Sequence, residues 1–388
     1  MQRPSAQLPL EVVIVGGGVA GLEVLMALRA HAGPRVNITL VSPGRDFVYR
    51  PLSVGEAFGV SEARRYPLDR IAEHFAAGLV NDELEWAATS NDSVFLRGGG
   101  ELPYDALVLA LGAHPAPAWE HVVTFTDSRH TEALREVLAD AVSGDAESIA
   151  FVMPEGPTWP LPLYELALMT ARHSRAAGAH TRIAIFTPEA EPLAVFGPRA
   201  SADVAAALDE AGVTVARATT VDVTPDGDIV IPNEETPVHF ERVVSVPRLA
   251  GPAPRGIPCD EHGFIPVDPH GLVRGREHVY AAGDGTDYPV KHGAIATQQA
   301  DAVAEVIAKR AGAGIDPRPM RAVLRAELFT GAPDRHFLRA DLGSRATPVS
   351  EASAAPAWWP ASKVAGQFLA PYLAAQDAEA AQAELQAS

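Results

Sequence analysis

The chain contains 388 residues, of which 47% are hydrophobic and 21% charged, and its formal net charge at pH 7 is −18. This length and composition indicate two or three globular domains and exclude long disordered regions. The acidic balance argues against nucleic acid or an anionic membrane as the main partner, because both repel negative charge.

The first predicted element is a strand over residues 11–15, followed by a glycine-rich turn and a helix. The turn contains Gly16, Gly18 and Gly21 in the spacing G-x-G-x-x-G. In such a motif the first glycine allows a tight turn, the second lets the backbone approach a pyrophosphate, and the third lets helix pack on strand. The motif predicts a dinucleotide site at the helix N-terminus. By itself it does not distinguish NAD from FAD.

The second predicted strand, NITLVSP, continues a parallel, right-handed βαβ unit. The acidic residue that usually holds a ribose hydroxyl about 20 positions after the glycines is missing, and Ser42 occupies that place. Ser42 can still hydrogen-bond a ribose. Arg45 nearby can meet a phosphate or stack on adenine, and a solvated loop arginine is an equally good interpretation.

The remaining pattern predicts a second unit of alternating strands and helices. A strand over residues 107–111 ends at Gly112; a new series from residue 148 has strands at 148–153, 182–186 and 213–217 and helices at 163–176 and 200–210. A last strand, 278–282, ends on Gly283 and Asp284 and returns to the first sheet. We predict an α/β fold with two Rossmann-like dinucleotide-binding domains, the second inserted in the first. Proline-rich crossings place the first domain at 1–116 and 252–316, the second at 117–251, and a C-terminal segment at 317–388.

Three motifs together resemble the FAD-binding signature of two-dinucleotide-domain flavoproteins, the superfamily of glutathione reductase, type II NADH dehydrogenases and sulfide:quinone oxidoreductases. They are the glycine turn, Tyr104-Asp105 leading to Gly112, and VYAAGD ending at Asp284. The resemblance implies bound FAD, with the strand before Gly112 close to it, and with the turn at Gly283 and Asp284 at the ribityl chain. Asp284 can also cap the following helix.

The resemblance extends to two segments beside the flavin ring. In FVYRPLSVGEAFG, Arg50 and Pro51 are expected to contact FAD. In the segment after Asp284, a helix N-terminus that includes Gly293 is expected to point at the flavin, and Lys291 is a candidate catalytic residue because its charge would stabilise reduced flavin. A surface lysine is the alternative. His292 is interpreted as either a proton donor or a structural residue.

The second domain departs from the superfamily pattern. Its first loop, MPEGPTWPLPLYELAL, has one glycine and several prolines, which lack N–H donors, and this argues against NAD(P)H as a co-substrate. Glu165 is a candidate proton relay, or only a charge at a helix N-terminus. The loop resembles the sulfide:quinone oxidoreductase and flavocytochrome c sulfide dehydrogenase branch, but the paired cysteines of those enzymes are missing. Cys259 is the single cysteine, so neither their sulfide chemistry nor the disulfide reaction of glutathione reductase is expected.

The C-terminal region holds a group of large apolar residues that the resemblance relates to a quinone pocket: Trp358, Trp359, Phe368, Leu369 and Tyr372. A core or interface role is favoured over quinone binding.

The leading functional hypothesis is an FAD-dependent oxidoreductase that passes two electrons between an unidentified donor and an acceptor such as a quinone or a protein, so that its redox partner is a small molecule, a quinone or a protein. On this hypothesis Trp159 and Tyr164 shape the substrate face together with Glu165. The alternatives are an NAD(P)H-dependent flavin reductase and a non-catalytic flavin-binding protein.

Location and assembly are less constrained. No stretch has the roughly 18 unbroken apolar residues of a transmembrane helix, and the N-terminus lacks a signal-peptide pattern. We expect a cytoplasmic protein with no integral membrane segment and no metal site. The sequence leaves the oligomeric state open, a homodimer included.

Overall fold

A computed structural model describes residues 8–333, 335–343 and 349–387. The first domain is built on a sheet of five parallel strands. In spatial order they are Val279–Ala281, Ala106–Leu109, Leu10–Val15, Val36–Val41 and Gly78–Val80. The inner strands are almost continuously apolar because both faces of a parallel sheet are covered. The strand predicted at 278–282 returns to this sheet beside Ala106–Leu109.

Seven α-helices lie within the described residues. They are α1 (Val19–Ala32), α2 (Leu68–His74), α3 (Thr131–Ser143), α4 (Leu161–Ala176), α5 (Gly197–Glu210), α6 (Gly293–Arg310) and α7 (Leu369–Ala387). Helices α1 and α6 pack directly against each other in the first domain. None of these helices is long and apolar enough to cross a membrane.

The second domain has its own sheet of five parallel strands. Their order is Val123–Thr124, Arg242–Ser245, Ser148–Val152, Arg182–Phe186 and Thr214–Ala216. Helices α4 and α5 begin two to three residues earlier than the sequence pattern predicts, because Pro162 and Pro198 occupy their first turns. A proline is tolerated there, since the first N–H groups of a helix have no partner within the helix. The predicted fold class is therefore confirmed.

Two connections join the domains, and they run side by side. Strand His114–Ala116 pairs with Arg248–Ala250 in an antiparallel ribbon, next to the boundaries proposed at residues 116 and 252. The remaining small elements are antiparallel sheets and 3₁₀ turns: strands Asp46–Tyr49 and Arg64–Pro67; Leu84–Ala88, Ser93–Leu96 and Glu101–Pro103; Asp222–Val223, Asp228–Val230 and Val238–His239; and turns Gly33–Arg35, Arg50–Phe58, Ser128–His130 and Ala194–Phe196.

The C-terminal part serves both domains. Strands Val323–Leu328, His336–Asp341 and Ser350–Ser353 form an antiparallel sheet, and apolar residues of the first two strands pack into the core of the second domain. The chain then crosses to the first domain, where Leu369 and Leu373 of α7 join the core around α1. Trp358 packs edge-on against Phe337, whereas Trp359 is 87% exposed. Trp359 is therefore the one member of the predicted aromatic group that lies outside the packed interior.

Candidate functional site

The glycine turn after the first strand has the geometry that its sequence predicts. A Cβ atom at Gly16, where φ is +118°, would lie 2.1 Å from the carbonyl oxygen of Ala110, and one at Gly21 would lie 1.9 Å from that of Gly16. At Gly18 a Cβ would meet nothing within 4 Å. Gly18 is also the N-cap of α1 and supplies no side-chain cap. Two glycines thus allow the packing of strand and helix, and the third leaves an open helix N-terminus that fits a pyrophosphate.

Three further predicted residues lie at the carboxyl edge of the same sheet. Ser42 follows strand Val36–Val41, and Gly283 follows Val279–Ala281. A Cβ added at Gly17 would lie 2.9 Å from the Ser42 hydroxyl oxygen, so this side chain borders the glycine turn. Gly112, with φ of +70°, has open space where its Cβ would stand. The edge therefore collects the residues predicted for the dinucleotide along the ends of adjacent parallel strands.

A buried hydrogen-bond network fixes the turn at Gly283. The N–H of Gly283 donates to the side chain of Gln299 over 2.7 Å, and the Gln299 amide donates to the hydroxyl of Thr286 over 3.0 Å. Thr286 in turn donates to the carbonyl oxygen of Gly283 over 2.9 Å. Sequence reasoning did not single out Gln299 or Thr286, because a polar residue on a helix gives no sign of the distant turn that it supports.

A cavity of about 270 Å³ lies where the first domain, the second domain and the C-terminal part meet. It brings together seven of the predicted site residues: Arg50, Pro51, Glu165, Asp284, Lys291, His292 and Gly293. The residues predicted for the pyrophosphate and ribose, namely Gly16, Gly18, Gly21, Ser42, Gly112 and Gly283, are not among its lining. Much of the remaining wall is apolar and comes from Phe125, Trp159, Leu161, Pro162, Val246 and Leu249.

His292 is the N-cap of α6, and its ring is held in one tautomer. Its Nδ1 accepts the N–H of Ala294 over 3.1 Å, so the ring proton lies on Nε2. Burial, together with the nearby charge of Lys363, lowers the pKa of His292 to about 3. The ring of Trp159 packs against it with centroids 4.5 Å apart. His292 is therefore a neutral side chain with one N–H donor, at Nε2.

Lys291 lies beside the same helix start, with its ammonium group turned toward the preceding loop. Nζ donates to the carbonyl oxygen of Thr286 over 2.5 Å and lies 3.7 Å from the centroid of the Phe264 ring. Burial lowers the pKa of Lys291 to about 8, although Asp284 and other nearby carboxylates oppose the shift. Burial raises the pKa of Asp284 to about 6, against the effect of Lys291. The lysine is thus a buried group of the cavity wall and not a surface residue.

Glu165 forms a buried ion pair that sequence reasoning missed. Its carboxylate is 1% exposed and lies 2.5 Å from Nζ of Lys363, which is 4% exposed. The same oxygen accepts the N–H of Phe329 over 2.7 Å, and the Lys363 ammonium lies 3.8 Å from the Phe329 ring centroid. Burial raises the pKa of Glu165, while Lys363 and the Phe329 N–H oppose the rise. The one hint in the sequence is that Lys363 is among only three lysines.

A second cavity, of about 350 Å³, lies on the other side of Lys363. Its wall includes Tyr49 and Leu52, which flank Arg50 and Pro51 of the first cavity. From the C-terminal part it includes residues 360–363 and also Ala370, Leu373 and Ala374. Two ion pairs border it, Arg64 with Asp377 and Arg335 with Glu327. Lys363 therefore lines both cavities and separates them.

The start of α4 in the second domain is poor in backbone N–H donors. Helix α4 is preceded by Pro160 and has Pro162 in its first turn, so N–H groups are missing where a pyrophosphate would bind. Glu189, which follows strand Arg182–Phe186, accepts the hydroxyl of Tyr164 over 2.7 Å and the N–H of Ala194 over 3.1 Å. Tyr164 is fully buried by this contact. Tyr164 does not line the cavity, whereas Trp159 does.

Cys259 lies away from both cavities. It is half-buried, its thiol donates to the carbonyl oxygen of Ile257 over 3.6 Å, and burial raises its pKa. A thiol with a raised pKa is a poor nucleophile.

The fold and the site together define a two-dinucleotide-domain protein of the flavoprotein type. The sequence matches the family described as pyridine nucleotide-disulphide oxidoreductase over residues 10–152 and 165–300, and the chain belongs to this family. It is accordingly a member of a family of flavin-dependent oxidoreductases. No curated protein sequence matches it.

Solved structures share the fold. The sulfide:quinone oxidoreductase of the hyperthermophilic bacterium Aquifex aeolicus superposes with a TM-score of 0.79 at 21% identity, covering 89% of this chain and 87% of that one. A covalent complex of putidaredoxin reductase with putidaredoxin gives 0.60 at 19% identity, with coverage of 89% and 90%. An NAD-dependent persulfide reductase from A. fulgidus gives 0.60 at 21% identity, with 85% of this chain and 64% of that one covered.

Proposed function

We propose that this protein is an FAD-dependent oxidoreductase that passes two electrons from a small-molecule donor to an acceptor such as a quinone or a redox protein. The observation that carries the proposal is the cavity at the three-way junction. There the segment around Arg50, the start of α6 and the buried pair of Glu165 and Lys363 line one space. Bound FAD would supply reversible two-electron chemistry there.

The residues of the first domain are suited to binding the two ends of FAD. The open helix N-terminus at Gly18 would hold the pyrophosphate, and Ser42 would hold the adenosine ribose. Asp284 would accept hydrogen bonds from the ribityl chain, and Arg50 and Pro51 would border the ring. Each of these roles rests on the resemblance and on the position of the residue at the sheet edge or in the cavity wall.

Positive electrostatic potential at the cavity would favour the reduced, anionic form of the cofactor. The N-terminus of α6 contributes a partial positive charge. Lys291 adds an ammonium group to the cavity wall, whereas the charge of Lys363 is offset by its ion pair with Glu165. His292 would donate one hydrogen bond from Nε2 to a carbonyl or other acceptor oxygen. Glu165 would hold or release a proton through Lys363, because the two side chains are in direct contact.

Two cavities on opposite sides of Lys363 support separate sites for donor and acceptor. We assign the donor to the cavity beside Trp159 and the acceptor to the cavity lined by the C-terminal part, since the resemblance places a quinone pocket there. The solved relatives include a sulfide:quinone oxidoreductase and a reductase bound to a redox protein. Sulfide itself is not proposed as the donor, because Cys259 is the sole thiol and lies away from both cavities.

An anaerobic titration tests this proposal. The purified protein should show the visible spectrum of an oxidised flavin, and FAD should be released on denaturation. Equimolar NADH and NADPH should leave the spectrum unchanged when it is followed after stopped-flow mixing. Quinols and other small donors are then screened for bleaching of the flavin. Prompt bleaching by NADH would favour the alternative of an NAD(P)H-dependent reductase.

A pair of variants separates catalysis from simple flavin binding. Glu165→Gln should retain FAD and lower the rate of reduction by the donor, since the amide cannot carry a proton. Arg172→Gln, a substitution on the same helix away from both cavities, serves as the control and should behave as the wild type. A protein that binds FAD but shows no turnover with any donor and acceptor pair would favour the non-catalytic alternative.

A further inference from the structure

Two consecutive glutamines of α6 bind two different segments of the chain. Gln298 holds both backbone groups of Val323: its amide nitrogen donates to the carbonyl oxygen over 2.9 Å, and its amide oxygen accepts the N–H over 2.9 Å. Gln299 instead reaches back to the turn at Gly283, which follows the last strand of the first sheet. The first glutamine therefore serves the C-terminal part, and the second serves the candidate flavin site.

The backbone of Gly283 depends on Gln299 because strand Val279–Ala281 has already ended. The N–H of Ala282 still donates to the carbonyl oxygen of Leu109 in the neighbouring strand over 3.1 Å. One residue later the amide oxygen of Gln299 takes the place of a strand partner and accepts the N–H of Gly283 over 2.7 Å. Both residues are buried, so loss of the amide would leave a buried donor unpaired.

The same amide holds the residue that receives Lys291. The amide nitrogen of Gln299 donates to the hydroxyl of Thr286 over 3.0 Å, and this hydroxyl donates to the carbonyl oxygen of Gly283 over 2.9 Å. The carbonyl oxygen of Thr286 in turn accepts the ammonium group of Lys291 over 2.5 Å. A continuous series of hydrogen bonds thus joins α6, the turn after the strand and a charge in the cavity wall.

Hydrogen bonds rather than close packing hold the far end of this loop. Gly283 is pressed against α1, where an added Cβ would lie 3.1 Å from that of Ala20. Asp287, by contrast, lines a cavity of about 430 Å³ together with Gln299, and its N–H donates to the carbonyl oxygen of Ile265 over 2.9 Å. Loss of the Gln299 amide would therefore leave the loop with fewer bonds and with open space beside it.

We propose that Gln299 is a positioning residue that fixes, through Thr286, the place of the Lys291 ammonium group in the cavity wall. Gln299 is 5% exposed and is not among the residues that line the cavity, so it acts on the flavin site through these contacts. The importance of Lys291 to the flavin rests on the proposed function. The series of contacts from Gln299 to Lys291 does not.

The ionisation of Lys291 reports its position without any substrate or turnover. The chain has three lysines, so protein grown with carbon-13-labelled lysine gives three sets of side-chain NMR signals, and Lys291→Met identifies those of Lys291. In the wild type, burial lowers the pKa of Lys291 to about 8, against the opposing effect of Asp284, Asp287 and Asp260. An NMR titration measures this pKa in each variant.

Gln299→Met should raise the pKa of Lys291 by at least about one unit, a tenfold change in proton affinity, because a displaced ammonium group regains water. Thr286→Val keeps the shape of the side chain without its hydroxyl; it should shift the pKa in the same direction, and it decides the matter if Gln299→Met does not fold. Thr286→Ser restores the hydroxyl and should restore the wild-type value. Gln298→Met is the matched control, since it removes the bonds to Val323 and leaves those to the turn.

A cycle of flavin midpoint potentials tests the consequence for the cofactor. At pH 6, Gln299→Met should lower the potential in the same direction as Lys291→Met. In the Lys291→Met background it should have little further effect, because it acts through the charge that is already missing. Thr286→Val replaces Gln299→Met in the cycle if the latter retains no flavin.

Three results would overturn the inference. The first is an unchanged pKa of Lys291 in both Gln299→Met and Thr286→Val. The second is an equal rise of this pKa in Gln298→Met, and the third is an equal fall of the potential with and without Lys291; both would indicate a general effect on the structure. A protein that shows the expected pKa changes but no redox turnover would contradict the proposed function and leave the positioning role intact.

Discussion

Replacing Lys363 with methionine tests whether the buried pair at the junction is ionised in the folded protein. Lys363 and Glu165 are in contact over 2.5 Å and almost fully buried. Methionine retains an aliphatic stem and removes the charge, which leaves Glu165 with the N–H of Phe329 as its hydrogen-bond donor. Burial already raises the pKa of Glu165, and loss of the ammonium raises it further.

The size of the effect is set by the proton that Glu165 takes up in the folded variant. One pKa unit corresponds to about 1.36 kcal/mol. Keeping a carboxyl protonated at pH 7 when its ordinary value is 4.5 therefore costs at most about 3.4 kcal/mol. Between these pH values the folded variant binds one proton more than the unfolded chain, so its stability falls as the pH rises. The loss relative to the wild type should be small at pH 5 and approach about 3 kcal/mol at pH 7.

Urea titrations at pH 5 and pH 7 measure this loss in Lys363→Met, in Glu165→Gln and in the double variant. The double variant should recover most of the stability, because the cost of each single change comes from the charge left unpaired in the interior. Lys309→Met is the control, since it removes an exposed charge and should change stability by less than about 0.5 kcal/mol. A Lys363→Met loss that is equal at the two pH values, or a double variant no more stable than the singles, would refute the reasoning.

Three further predictions concern the cofactor site. Lys291→Met should lower the flavin midpoint potential by about 30 mV for each 1.4 kcal/mol of lost stabilisation of the reduced flavin. The effect is expected only below pH 8, where Lys291 carries its charge. Spectroelectrochemistry measures the midpoint potential at pH 6 and at pH 9. Gly21→Ala should impair folding because its Cβ would clash with the backbone of Gly16. Gly18→Ala should fold normally, because a Cβ there meets nothing within 4 Å, and should bind flavin less tightly. Thermal unfolding and the amount of flavin retained distinguish the two variants. His292→Asn keeps a capping side chain but does not titrate. The unfolded histidine takes up a proton below pH 6.5 and the folded one only near 3. The stability of the wild type should therefore decrease as the pH is lowered from 6.5 to 3. In urea titrations across this range, the stability of the variant should decrease less steeply.

The sequence predicts those parts of the fold that depend on residues close together in the chain. Buried parallel strands consist of apolar runs, as in strand Ala106–Leu109, and a pyrophosphate turn needs glycines at fixed spacing in one short segment. Asp284 could also be singled out from the sequence, because it closely follows strand Val279–Ala281, and His292 could be, because it directly precedes the predicted helix α6. The ends of the elements were harder to predict. A proline usually indicates that a helix is interrupted, but it is also tolerated in the first turn. Helix α5 therefore begins at Gly197, with Pro198 in its first turn, and not after the proline.

The contacts that make the site specific are not local, and the sequence did not predict them. Lys363 and Glu165 are 198 positions apart, and a lysine in a proline-rich segment gives no sign of a buried partner. Tyr164 and Glu165 are adjacent on α4, yet the turn of the helix directs one to Glu189 and the other to the cavity. Glu23 within an apolar helix gives no indication that it caps a helix 346 positions away.

These long-range contacts indicate where the specificity of the protein is determined. The first domain keeps the glycine turn and the sheet edge, which we propose for the cofactor and where close backbone contacts leave little room for side chains. The second domain keeps its sheet, but prolines before and within α4 reduce the number of backbone N–H donors at the start of that helix, and Glu189 is engaged by Tyr164. Most of the wall of the second cavity, which we propose for the acceptor, and one half of the buried ion pair come from the C-terminal part. The choice of redox partner should therefore depend mainly on residues after 317, and exchange of this part between relatives should transfer acceptor preference while the flavin site is retained.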